Sequence, residues 1–104
     1  LAVSQIMSAD ELKEKIATGP SIVDFYLTWY GPCKQLASRL HKQAEDTRTA
    51  AFLKVDVDEL QEMEQTYIIT LMPTILGFKD GAVIDRVVGA DERLTKNLLQ
   101  KLTE

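Results

Sequence analysis

The sequence predicts a single α/β domain over residues 1–104, in which helices flank both faces of a mixed central sheet. Runs rich in β-branched and aromatic residues alternate with stretches of helical spacing. Parallel crossovers between such strands are right-handed and place the helices on the sheet faces. The last two runs flank an Asp80-Gly81 pair, which is typical of an antiparallel hairpin. The expected order is β-α-β-α-β-α-β-β-α.

The first strand and helix are predicted from a short apolar lead-in and a capping signal. Val3 and Ile6 lie on the lead-in, which indicates a strand. Ser8 is followed three residues later by Glu11, the pattern of a capping box. We therefore expect a helix that begins after Ser8 and ends at about Thr18.

A central strand is predicted at residues 21–27, "SIVDFYL". It follows Gly19-Pro20, which ends the first helix because Gly accepts the left-handed cap and Pro cannot continue a helix. Both faces of the run are apolar, as in a strand covered on both sides. Asp24 interrupts the run, and a buried carboxylate is costly unless it is paired or protonated.

The second helix is predicted to follow Trp29. Pro32 suits its first turn, where the missing N–H has no partner to lose. The spacing of the following apolar residues predicts one buried helix face, formed by Leu36, Leu40 and Ala44.

A third strand is predicted at residues 51–57, "AFLKVDV", and a short helix at 59–66 with Leu60 and Met63 turned inward. The hairpin strands are predicted at 74–79 and 82–88. A final amphipathic helix is predicted at 91–102, with an inward stripe formed by Leu94, Leu98 and Leu102.

Composition and charge exclude several classes of function. The net charge is −4 and the chain has no basic stripe, so we expect no nucleic-acid partner. No apolar run approaches the ~20 residues of a membrane span, and no secretory signal is visible. One Cys and one His cannot form an internal disulfide or a four-ligand zinc site. His41 is interpreted as a solvated helix residue, and a solvated face is predicted for Asp56, Asp58, Glu59, Glu62 and Glu64.

The loop "WYGPCK", residues 29–34, carries the chemistry of interest. A strand that turns directly into a helix leaves free N–H groups and a positive dipole end at the turn. A thiol at the first loop position ionises easily and attacks disulfides, whereas one three residues later is shielded and resolves the mixed disulfide. Here Tyr30 occupies the first position and Cys33 the second. Because a phenol forms no disulfide, the first step of exchange is lost.

The chain resembles the thioredoxin family over essentially its whole length. The resemblance lies in "VDF" at 23–25, "TWYGPCK" at 28–34, "FLKVDVD" at 52–58, "MPT" at 72–74, "FKDG" at 78–81 and "VGA" at 88–90. It implies the thioredoxin fold, a role in redox homeostasis without a cofactor, and, through the cytosolic branch, a cytoplasmic location. Tyr30 departs from the family by replacing the attacking Cys.

The resemblance also implies roles for particular residues. Asp24 would be a buried acid beneath Cys33 that moves a proton when the sulfur reacts, and Lys54 a buried amine that pairs with it. An ion pair of purely structural value is the alternative for these two. Pro73 would follow a cis peptide bond. A shallow groove for partner proteins would be lined by Trp29, Tyr30, Gly31, Pro32, Met72, Pro73, Val88, Gly89 and Ala90.

Three functions remain open from the sequence. The first is a binding module that docks proteins carrying thiols or disulfides and has lost dithiol reductase activity. The second is a one-cysteine thiol oxidoreductase that acts through Cys33 with glutathione. The third is an ordinary protein-disulfide reductase, a partner of a thioredoxin reductase, in which Tyr30 is a replacement.

Overall fold

The computed structural model describes residues 2–104 and confirms the predicted order of elements. The elements are β1 Ser4–Gln5, α1 Ala9–Ile16, β2 Pro20–Tyr26, α2 Gly31–Asp46, β3 Ala51–Asp56, α3 Glu62–Thr66, β4 Thr74–Lys79, β5 Ala82–Val88 and α4 Glu92–Thr103. No helix in this part of the chain combines the length and apolar character needed to cross a membrane.

The five strands form one mixed sheet in the order β1-β3-β2-β4-β5. β2 is central, parallel to β3 and antiparallel to β4, and β4 and β5 form the expected hairpin. The register places Asp24 beside Lys54 on one side and Ile75 on the other. The prediction of a central strand covered on both faces is confirmed.

Two hydrophobic clusters cover the two faces of the sheet. Side chains alternate along β2, so Val23 and Phe25 pack on the face covered by α1 and α3. Ile22 packs on the opposite face, against Leu36 of α2 and Leu98 of α4. Since Asp24 shares the parity of Ile22, its carboxyl group lies beneath α2, in the layer from which that helix starts.

The predicted caps and turns are present. The Ser8 hydroxyl accepts a hydrogen bond from the Glu11 amide at 3.1 Å. Gly19 has φ +73°, the left-handed conformation expected after α1. Asp80 and Gly81 both have positive φ, as a tight hairpin turn requires.

Some boundaries and faces differ from the prediction. α1 ends at Ile16, and α3 begins only at Glu62, because the chain forms a turn at residues 57–59 and is not yet helical at residues 60 and 61. The prediction that Leu94 of α4 faces inward was wrong. Its side chain is 41% exposed, whereas Thr95 is buried. At 100° per residue the buried arc lies between Leu98 and Thr95, which leaves Leu94 at its edge.

The prediction that the acidic residues between Asp56 and Glu64 form a solvated face was wrong for one of them. Asp56, the last residue of β3, is buried, and its carboxylate accepts a hydrogen bond from the Asp58 amide at 3.0 Å. This bond satisfies a carboxylate oxygen that the chain reversal after β3 removes from water.

Candidate functional site

The loop between β2 and α2 presents two aromatic side chains to solvent. Tyr30 precedes the helix with extended backbone (φ −92°, ψ 126°), and its side chain makes no capping hydrogen bond. The Trp29 side chain is 65% exposed, and its Nε1 donates to Asp58 Oδ2 at 3.1 Å. The two rings meet edge to face, with centroids 6.1 Å apart. Tyr30 therefore occupies the exposed helix-tip position that the sequence assigned to it.

Cys33 lies in the first turn of α2 and is only 2% exposed. Its Sγ accepts a hydrogen bond from the Leu27 amide at 3.5 Å. Burial raises the pKa of the Cys33 thiol; the Leu27 hydrogen bond acts in the opposite direction, and the nearby charge of Asp24 adds to the increase. The thiol is therefore protonated at neutral pH and poorly placed to attack a disulfide.

Asp24 is a buried acid on the same side of the sheet as Cys33. Burial raises its pKa from 3.8 to about 7, and the positive charge of Lys54 offsets part of that increase. Within residues 2–104, Oδ1 of this carboxyl group has no hydrogen-bond partner. Asp24 also lines a pocket of about 160 Å³, together with Val3, Ala37, Leu40, His41 and Lys54. A carboxyl group with a pKa near 7 can accept or release a proton at physiological pH.

Lys54 is placed differently from the expectation. Its side chain is half-buried, and no ion pair between it and Asp24 is found in the part of the chain that the structure describes. Its Nζ lies 5.8 Å from the centroid of the Tyr26 ring instead. A long flexible side chain can keep its stem against the sheet and carry its ammonium group toward water. Lys54 thus influences Asp24 through space.

A second pocket of about 250 Å³ opens beside the aromatic loop. We call it the Trp29 pocket, and its lining residues are Leu27, Trp29, Tyr30, Thr70, Leu71 and Met72. Three members of the predicted groove, Trp29, Tyr30 and Met72, meet there.

The remaining members of the predicted groove lie around this pocket without lining it. Pro73 is buried and follows a cis peptide bond, and its carbonyl accepts a hydrogen bond from the Gly89 amide at 2.8 Å. Val88 is exposed beside this contact. Gly31 and Pro32 form the start of α2, and Ala90 packs partly against the α2–α4 core.

Residues 3–104 match the family model described as Thioredoxin. The chain belongs to the thioredoxin family.

Relatives across this family match nearly the whole chain. Thioredoxin-2 of Saccharomyces cerevisiae is 40% identical over 99 residues, which cover 93% of this chain and 95% of the relative. The thioredoxin of Echinococcus granulosus is 41% identical over 100 residues, covering 95% and 94% of the two chains. The solved structure of Malassezia sympodialis thioredoxin superposes with a TM-score of 0.89 at 36% identity, covering 98% and 91%. The thioredoxin fold predicted from the sequence is confirmed.

In this thioredoxin-family chain, sequence reasoning missed part of the exposed apolar surface. Leu71 is 64% exposed in the wall of the Trp29 pocket, and Ile68 is 70% exposed nearby in sequence. The segment 68–72, "IITLM", carries the signal that could have found them, because it is an apolar run without strand or helix period ahead of a proline. Because the run lies outside any helix or strand, only part of it, including Ile69, is buried in the core.

Proposed function

We propose that this thioredoxin-family protein binds partner polypeptides at the Trp29 pocket and does not reduce disulfides through an internal dithiol cycle. The observation that carries the proposal is the state of its only cysteine: Cys33 is buried, its pKa is raised, and Tyr30 stands at the exposed tip of the helix.

The chemistry of the dithiol cycle requires two sulfurs. One thiolate attacks the partner disulfide and releases one partner thiol; a second thiol then displaces the other partner sulfur and forms an internal disulfide. The two electrons that reduce the partner come from these two thiols. Because Tyr30 stands at the attacking position, no mixed disulfide forms there for Cys33 to resolve, and a chain with a single Cys can form no internal disulfide.

Binding is supported by the exposed apolar side chains around the loop. Trp29 and Leu71 are each more than half exposed, and both line the same pocket. Aromatic and aliphatic side chains at a shallow opening are typical anchors for a partner chain. Partner proteins that carry thiols or disulfides are the class that family membership favours.

A second candidate, a protein-disulfide reductase in which Tyr30 is a replacement, is favoured by Asp24. A buried carboxyl group without a hydrogen-bond partner is costly, and a pKa near 7 suits proton transfer at a neighbouring sulfur. In this alternative the proton-transfer apparatus remains and only the attacking sulfur is absent.

Reduction of insulin disulfides by dithiothreitol tests the proposal. We expect no acceleration by the unaltered protein and turnover by Tyr30→Cys, because that change supplies the attacking thiol. Tyr30→Ser is the matched control: it removes the ring without adding sulfur and should stay inactive. Turnover by the unaltered protein would contradict the proposal.

Reaction with glutathione disulfide, followed by intact mass, tests the accessibility of the remaining thiol. We expect Cys33 to resist modification in the native protein and to react once the chain is unfolded in denaturant. A prompt adduct on the native protein would instead support a one-cysteine thiol oxidoreductase that acts through Cys33.

A further inference from the structure

Arg86 makes a two-pronged contact that the thiol chemistry does not use. It projects from β5, and its Nη1 donates to the Ile68 carbonyl at 2.9 Å while its Nη2 donates to the Tyr67 carbonyl at 2.8 Å. These carbonyls follow the last residue of α3, where a helix end leaves acceptors without intrahelical partners. A planar guanidinium group fits two adjacent acceptors at once.

The backbone that Arg86 holds has a disfavoured conformation. Ile68 has φ +55°, the left-handed region that β-branched side chains rarely adopt. The conformation turns the Ile68 side chain outward while the residues on either side face inward: Tyr67 packs against Phe25 and Phe78, and Ile69 is buried. Such a conformation persists only where surrounding contacts determine it.

The held segment leads directly into the Trp29 pocket. Thr70, Leu71 and Met72, which follow it, form one wall of the pocket. The downstream end of this wall is fixed by the hydrogen bond from Thr74 Oγ1 to the Leu71 carbonyl at 2.5 Å. The upstream end has the contact with Arg86, so the wall is held at both ends.

We propose that Arg86 is a positioning residue for partner binding, which holds residues 68–72 so that Leu71 and Met72 face Trp29 and Tyr30. The inference rests on the proposed function and names the residue that shapes its binding surface. If Arg86 only capped the end of α3, its loss would lower stability and leave the Trp29 pocket unchanged. If Arg86 positions the wall, its loss should also alter the pocket and weaken partner binding.

Amide hydrogen exchange on the otherwise unaltered protein tests the geometry. In Arg86→Gln we expect the amides of residues 67–69, which donate to the carbonyls of Met63, Gln65 and Glu64, to exchange at least fivefold faster, while the amides of the central strand β2 keep their protection. Arg93→Gln is the matched control, because Arg93 is exposed and makes no hydrogen bond or ion pair with the residues described here. Unchanged exchange at residues 67–69, or an equal change in the control, overturns the inference.

Insulin reduction in the Tyr30→Cys background tests the consequence for binding. Adding Arg86→Gln should raise KM about fivefold and leave kcat within twofold. The KM of Arg86→Lys should lie between these values, because an ammonium group can still donate hydrogen bonds. A fall in kcat with unchanged KM overturns the inference. If Arg86→Gln does not fold, Arg86→Lys is measured in both assays and must show the same changes at smaller size.

The two assays also separate this inference from the proposed function. Turnover by the unaltered chain, or an inactive Tyr30→Cys protein, counts against the proposed function before Arg86 is altered. The exchange measurement needs no turnover, so it decides the role of Arg86 in either case.

Discussion

Replacement of Asp24 by Asn should stabilise the protein at neutral and alkaline pH. The carboxyl group is 3% exposed, and its pKa is about 7 in the native state against 3.8 for the ordinary side chain. Because each pKa unit corresponds to about 1.4 kcal/mol, ionising Asp24 in the folded protein costs about 4 kcal/mol. An amide resembles the protonated carboxyl group in size and polarity, so Asn escapes this cost.

The stabilisation by Asp24→Asn should increase as the pH rises from 3.8 to about 7. Below about pH 3.8 the carboxyl group is protonated in both the folded and the unfolded chain, and the cost is absent. Between pH 3.8 and about 7 the unfolded chain has released the proton that the folded chain retains, so stability falls as pH rises. Above about pH 7 both states are ionised, and the cost is constant.

Urea unfolding of the unaltered protein and Asp24→Asn at pH 4, 6 and 8 measures this difference. The free energy of unfolding should differ by about 4 kcal/mol at pH 8 and by less than about 1 kcal/mol at pH 4. Asp46→Asn, at an exposed position of α2, is the control and should stay within about 0.5 kcal/mol. A variant that is less stable at pH 8, or equally stabilised at pH 4 and 8, would refute the argument.

Three further substitutions test local features by the same unfolding measurement. Ile68→Gly should stabilise by about 1 kcal/mol, because Gly adopts positive φ without the penalty of a β-branched residue; a loss of stability would contradict the strain. Gly77→Ala should cost about 1–3 kcal/mol, since the added Cβ would lie 2.7 Å from Leu98 Cδ1; a neutral result would show that α4 can shift. Asp91→Ala should cost about 0.5–2 kcal/mol by removing the side-chain cap of α4, and no change would mean that water replaces the cap.

The positions of Tyr30 and Cys33 in the loop could be predicted from the sequence because they depend on local geometry. A strand that passes into a helix determines which loop residue stands at the helix tip and which lies in the first turn. Tyr30 and Cys33 were assigned to these positions from their spacing alone, and the structure confirms the exposure of one and the burial of the other.

The sequence by itself determined the order of elements, the side-chain cap at Ser8 and the hairpin turn at Asp80-Gly81, since each depends on residues close together in the chain. Only the tertiary structure decided the direction of Lys54, the exposure of Leu71 and the reach of Arg86 to carbonyls 18 and 19 residues away. The physical reason is that burial, electrostatic shifts and long-range hydrogen bonds depend on which segments pack together. Which segments pack together is defined only in the folded protein, so it cannot be predicted from any short stretch of the chain.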